Sequence, residues 1–209
     1  MNCVLRRTLS ELIGTFALVF AGAGACTIDD VTRGGVTHVG VGLTFGLVVM
    51  TVILAVGDVS GAHINPAVTI SFWAARRFPG RDVFPYLLSQ LAGALLAALA
   101  LRLLFPEHPT LGTTLPAGSA WQSFGLEILL TIFLMFVVLM VTSGPDDVRR
   151  FAALAIGGVI GLEALFAGPI SGASMNPARS LGPAVVSGHL EHLWVYLSAP
   201  SLGALLAIP

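Results

Sequence analysis

Two stretches of this chain repeat one another across an offset of 111 residues, Gly57–Ala67 (GDVSGAHINPA) and Gly168–Ala178 (GPISGASMNPA). Seven of the eleven pairs are identical, and both stretches end in Asn-Pro-Ala. Proline has no backbone donor, yet it suits the first turn of a helix, where that donor is unpaired anyway. Each Asn-Pro pair therefore predicts a helix start, capped by Asn65 or Asn176. The apolar segments that carry these starts, 62–75 and 173–187, are short of the roughly 20 residues that span a hydrocarbon core. Any fold must accommodate two such truncated helices.

The surroundings say where. Hydrophobic residues make up 56% of the 209 and charged residues 10%, too few to cover a soluble domain, which carries about 25%. Six apolar stretches are long enough to cross a membrane, near 8–27, 36–57, 84–105, 121–143, 149–168 and 190–209. Between them lie Asp29-Asp30, Arg76 to Arg81, Pro106 to Pro116 and Ser143 to Asp147. Three spans fall in each half. Because three is odd, the two halves must be inverted relative to one another, and the first span of each carries Glu-x-x-x-Thr, at Glu11/Thr15 and Glu127/Thr131. The expected fold is an all-α membrane domain over 1–209. It has six transmembrane helices and two re-entrant half-helices, in repeats of about 8–105 and 121–209.

The basic residues, all ten of them Arg, orient it. Arg6, Arg7, Arg76, Arg77, Arg81, Arg149 and Arg150 fall on one side if the helices alternate, and Arg33, Arg102 and Arg179 on the other. That bias predicts cytoplasmic termini in a plasma or inner membrane. The opening Arg6-Arg7 and apolar run resemble a signal peptide, but Glu11 lies inside the run and no small-residue cleavage site follows. A retained helix is expected. No basic run suggests nucleic acid, and Cys3 and Cys26 are too few for a disulfide framework.

The two half-helix starts enter from opposite sides and meet near the midplane, an arrangement that places a solute site there. A solute leaving water needs replacement hydrogen bonds, because an uncompensated hydroxyl costs about 2–7 kcal/mol. The Asn65 and Asn176 amides can donate. Residues just before them cannot be helical, so the carbonyls of Ala62, His63 and Ile64, and of Gly172, Ala173 and Ser174, form an expected acceptor ladder. One polar stripe on apolar walls suits polar, uncharged solutes and water. Two facing helix N-termini, each equivalent to roughly half a positive charge, repel cations, and Arg179 adds to the barrier. A snorkelling or loop-tethering arginine is the plainer alternative.

The segments Ser60–Thr69 (SGAHINPAVT) and Ser171–Ser180 (SGASMNPARS) resemble the signatures of the aquaporin, or major intrinsic protein, family from about Glu11 to the end of the chain. The stretch Phe166–Ala184 is most similar to the nodulin-like subgroup of plants and its bacterial relatives. That resemblance implies a homotetramer in membrane lipid with one pore per subunit and no cofactor. It implies passage of glycerol, urea and metalloid hydroxides such as silicic, boric or arsenous acid. It also implies an outer constriction of four residues. Counting from the two asparagines gives Phe45, Ala164 and Ala173, with Arg179 as the fourth. Water-selective members differ in having His at the Ala164 position and Cys or a small polar residue at Ala173, and glycerol facilitators have paired aromatics in this constriction. Two alanines imply a wider, more apolar opening. A packed core aromatic is the alternative for Phe45.

Carboxylates inside membrane spans are costly and invite a functional reading. Glu11 and Glu127 are expected to support the re-entrant loops by accepting their free amides. Glu163 sits beside Ala164 but about 100° round the helix, as a buried structural partner, a vestibule contact or a helix-interface contact. His63 is a fixed hydrogen-bonding residue or a protonation gate. His38, His108, His189 and His192 read as peripheral, so no metal site is expected. Gly42-x-x-x-Gly46 and Gly157-x-x-x-Gly161 allow close helix crossing. A passive channel fits these residues. A secondary transporter would need a coupling-ion site, and an enzyme a nucleophile–base pair or metal cluster, none of which is visible.

Overall fold

Helix is the regular structure of residues 3–209, the part of the chain that the computed structural model describes. Met1, Asn2 and the side chain of Cys3 lie outside it, so the reading of the cysteine pair does too. The elements are α1 (Cys3–Thr32), α2 (Thr37–Ser60), α3 (Pro66–Ala74), α4 (Gly80–Leu104), α5 (Ala120–Ser143), α6 (Asp146–Arg149), α7 (Ala152–Ser171), α8 (Pro177–Ser187) and α9 (Leu193–Leu206). Helices α1, α2, α4, α5 and α7 are long and apolar enough to cross a membrane.

The sixth expected span is shorter than the sequence suggested. Gly188, at φ 85°, ends α8 in a left-handed cap, and a turn delays the start of α9 to Leu193, leaving 14 residues. That is about 21 Å of helix. At the other end, α1 runs past Asp29-Asp30 instead of stopping before them. The Asp29 carboxylate accepts from the Val36 and Thr37 amides at 3.0 and 2.7 Å, so this acid closes the turn into α2.

Burial is inverted relative to a soluble protein. Leu103 is 83% exposed and Leu54 and Phe84 are each 72% exposed, whereas Glu11, Glu127 and Glu163 are fully buried. An apolar exterior around a polar interior is what a hydrocarbon solvent selects. The halves meet along α2 and α7, where a Cβ on Gly46 would lie 2.7 Å from the Gly157 carbonyl oxygen and 3.0 Å from Gly161 Cα. These glycines let the backbones touch. The half-helices then cross between repeats, α3 packing on α9 and α8 on α4.

Candidate functional site

The two Asn-Pro pairs form the helix starts their sequence predicts. Asn65 Oδ1 caps α3 by accepting from Ala67 N at 2.9 Å, and Asn176 Oδ1 caps α8 by accepting from Ala178 N at 3.0 Å and Arg179 N at 3.3 Å. Their amide nitrogens cross over. Asn65 Nδ2 donates to the Met175 carbonyl at 2.7 Å, and Asn176 Nδ2 to the Ile64 carbonyl at 2.9 Å. The two half-helices are thus joined end to end through their caps.

The segments entering these caps are held in costly backbone conformations. Gly61, Ala62 and Ile64 have φ of 87°, 47° and 44°, and Gly172, Ala173 and Met175 have 84°, 40° and 50°. Such values are unusual for side chains with a Cβ and worst for a β-branched residue such as Ile64. Buried carboxylates hold them there. Glu11 accepts from His63 N (2.9 Å), Ile64 N (2.7 Å), Ser60 Oγ (2.8 Å) and Gln90 Nε2 (2.8 Å). Glu127 accepts from Ser174 N, Met175 N and Ser171 Oγ, each at 2.8 Å. Hydrogen bonds to a carboxylate are about twice as strong as neutral ones.

The amides of His63 and Ser174 donate to the carboxylates, those of Ala62 and Ala173 to Ser60 and Ser171 Oγ, and that of Gly172 to the Gly168 carbonyl, while the carbonyls of all five accept no bond among the described residues. The Ile64 carbonyl differs from the sequence reading. It already receives Asn176 Nδ2, so the expected ladder is interrupted there.

Three cavities follow one another through the fold. A wide one of about 490 Å³ runs from Asp58, Arg149 and Arg150 past Ala62, His63 and Ile64 to Asn65 and Asn176. A chamber of about 30 Å³ lies between that asparagine pair and Phe45, Ala173 and Arg179. An outer cavity of about 210 Å³ begins at Phe45, Ala164, Gly172 and Arg179 and opens past Cys26, Asp29, Asp30 and His38. The structure therefore brings Phe45, Ala164, Ala173 and Arg179 together where the outer cavity and the chamber meet. The Arg179 guanidinium carbon sits 4.8 Å from the Phe45 ring centre, and Nη1 donates to the Gly112 carbonyl at 2.8 Å. Arg179 Nε has no partner among the described residues.

Sequence reading missed several of these placements. Gly22 leaves the room that the Phe45 ring fills, since a Cβ there would lie 2.2 Å from Phe45 Cε1. His38, taken as peripheral, lines the outer cavity, and one of its ring nitrogens lies 2.7 Å from the Leu165 carbonyl. His108, also taken as peripheral, is buried against α1. Glu163, read as a buried structural partner, a vestibule contact or a helix-interface contact, is fully buried, and neither carboxyl oxygen finds a hydrogen-bond partner among the described residues. His63 Nδ1 lies 3.1 Å from Thr69 Oγ1, and its ring is packed among Phe72, Phe78 and Tyr86. Among the described residues, no three His, Cys, Asp or Glu side chains gather as a metal site.

The family model "Major intrinsic protein" matches residues 2–208. Aquaporin NIP1-1 of Oryza sativa subsp. japonica is 49% identical over 201 residues, which are 96% of this chain and 71% of the relative. Nodulin-26 of Glycine max is 43% identical over 202 residues, 96% of this chain and 74% of the relative. The fold matches the X-ray structure of the aquaglyceroporin from Plasmodium falciparum with a TM-score of 0.87 and 27% identity, across 98% of this chain and 94% of that one. The chain belongs to the major intrinsic protein family and is an integral membrane channel for small solutes, not an enzyme.

Proposed function

We propose that this channel passes small uncharged solutes larger than water, with glycerol, urea and the hydroxides of silicon, boron or arsenic as the candidate classes, and that water accompanies them. Asn65 and Asn176 are the midplane donors. Phe45, Ala164, Ala173 and Arg179 are the selectivity constriction. The carbonyls of Ala62, His63, Gly172, Ala173 and Ser174 are the acceptors along the path. Ile64 contributes through its bond to Asn176, and Glu11 and Glu127 hold both loops. The subunit works as a homotetramer with cytoplasmic termini, the latter on the strength of the arginine bias.

The observation that carries this reading is the pair of alanines where the chamber meets the outer cavity. Ala164 lines the outer cavity and Ala173 the chamber, each beside Phe45 and Arg179, and neither side chain adds bulk or a hydrogen-bonding group. A solute passing there meets one fork of donors and an otherwise apolar wall, which suits a compact polyol or hydroxide. A second reading, a channel mainly for water, is favoured by the narrowness of the chamber, whose volume of about 30 Å³ is far below those of the two cavities on either side of it.

Swelling of proteoliposomes in gradients of water, glycerol, urea and silicic, boric and arsenous acids separates the two. Fast, non-saturating, ion-independent solute flux is expected, whereas saturation or ion dependence would point to a secondary transporter. Ala164→His combined with Ala173→Thr is expected to cut glycerol flux by about tenfold, a barrier change of roughly 1.4 kcal/mol, and water flux less. Equal passage of glycerol in that variant would remove these alanines from the selectivity argument.

A further inference from the structure

The loop between α4 and α5 is tied down along its length, and the tie that stands out is a buried histidine. His108 is 8% exposed. Its Nδ1 accepts from the Leu111 amide at 2.9 Å, and its Nε2 lies 3.5 Å from Asp30 Oδ2 at the end of α1. An acceptor nitrogen carries no proton, so the ring in this arrangement is the neutral form protonated on Nε2. The turn closed by that bond contains Leu111 at φ 52°, fully buried, and Gly112 at φ 70°. A Cβ on Gly112 would lie 2.6 Å from the Ala23 carbonyl oxygen, so this backbone is pressed against α1. There the Gly112 carbonyl receives Arg179 Nη1 at 2.8 Å. The loop then continues to Ser180, which Thr114 Oγ1 reaches at 2.7 Å.

The guanidinium has few other constraints. Its Nε has no hydrogen-bond partner among the described residues, and its other neighbours on the outer cavity are the Phe45 ring and the Cys26 thiol. We infer that His108 is a positioning residue for Arg179: its neutral ring fixes the turn that delivers the Gly112 carbonyl, and a second ring proton releases that turn. A doubly protonated ring turns Nδ1 from acceptor to donor. It would then face the Leu111 N–H donor to donor, which opens the turn. The charged groups facing the ring are Asp30 from α1 and Arg102 from α4, whose Nη1 donates to the His108 carbonyl at 2.7 Å. Glu107 precedes it in the loop. One step further off, Thr113 Oγ1 lies 3.0 Å from Ser187 Oγ in α8, which is 3.2 Å from His189 Nδ1. Asp30 is 66% exposed, so water screens much of its attraction for a charged ring. The buried Leu111 amide has no such compensation. Charging of the ring from the face carrying this loop would therefore loosen the hold on Arg179 and let the guanidinium swing across the chamber.

This inference rests on the assignment of Arg179 to the constriction, and two measurements keep the two separable. The first is glycerol and water flux in vesicles between about pH 7.5 and pH 5. Wild-type glycerol flux is expected to fall by about threefold or more at the acid end, the scale of one lost hydrogen bond. His108→Asn, whose Oδ1 keeps the acceptor without titrating, is expected to give a flat profile at the higher level. His108→Ala is expected to be low throughout. A flat wild-type profile, or an unaltered pH response in His108→Asn, overturns the inference. The second is hydrogen–deuterium exchange of the 109–113 segment at one fixed neutral pH, which involves no transport. Protection is expected to be equal in wild type and His108→Asn and lower in His108→Ala, and equal protection in all three overturns the inference even if no solute passes. Normal protection differences with no solute flux in wild type would instead count against the constriction reading.

Discussion

The two re-entrant arms are built on one plan and finished differently. In the first, Glu11 receives two amides and a serine, Ser60 Oγ accepts from Ala62 N at 3.0 Å, and Asn65 reaches across to Met175. In the second, Glu127 receives two amides and a serine, Ser171 Oγ accepts from Ala173 N at 3.1 Å, and Asn176 reaches across to Ile64. Corresponding distances agree within about 0.2 Å, far inside the spread of ordinary hydrogen bonds. Beyond this shared frame the arms diverge. The first is backed by Gln90, which bridges Glu11 and Thr69, and by His63 stacked on Phe72. The second is backed by a hydroxyl chain, Ser174–Ser180–Thr114, and carries Arg179. The lesson is a division of labour. The repeated residues make the junction of the half-helices, while the unrepeated ones make the two mouths unlike each other.

Breaking the shared frame should have the largest effect. Glu11→Ala or Glu127→Ala strands two buried amides and a hydroxyl, at about 1–3 kcal/mol for each donor. Either variant is expected to lose several kcal/mol, enough to threaten folding in a marginally stable protein. Thermal unfolding of the purified variants, followed by circular dichroism, measures it. If one variant melts like wild type, the two carboxylates are not equivalent and the likeness of the arms is only geometric.

A smaller loss tests the junction. Asn65→Ala and Asn176→Ala each remove a helix cap, worth about 1 kcal/mol, and one crossing hydrogen bond of similar size. Similar losses of about 2 kcal/mol are expected for the two variants, with the double variant losing less than their sum because both amides serve one junction. Strict additivity in a double-mutant cycle would show two independent caps.

The smallest effect should be a gain. At the repeat offset of 111, fully buried Glu163 corresponds to Val52, which is also buried. Glu163→Val removes a carboxyl group that has no partner among the described residues and is expected to stabilise by about 1–2 kcal/mol. The melting temperature should rise by a few degrees. A fall would mean that Glu163 finds a partner in the membrane, and that the second arm needs a third carboxylate.

Much of the frame was legible because its causes are local. Proline without a donor marks where a helix can begin, so Pro66 and Pro177 revealed α3 and α8 from the sequence. A glutamate within an apolar span must find donors, and the strained loops have donors to spare, which made Glu11 and Glu127 readable as acceptors. The crossing of the asparagine amides was not legible. Nothing near Asn176 names Ile64 as its partner, because the two are 112 residues apart. The occupied Ile64 carbonyl, the space that Gly22 leaves for Phe45 and the burial of His108 against Asp30 were not legible either, because each depends on how separate helices and loops pack.

By itself, then, the sequence determined the membrane setting, the all-helical inverted repeat and the places where two helices start short. Those follow from side-chain polarity, repeat spacing and the missing donor of proline, which act wherever the chain lies. Only the tertiary structure decided which carbonyls remain open, which loop holds Arg179 and which carboxylate goes unpartnered. Hydrogen bonds and packing between residues 67 to 112 positions apart are satisfied by geometry, and no local pattern announces them in advance.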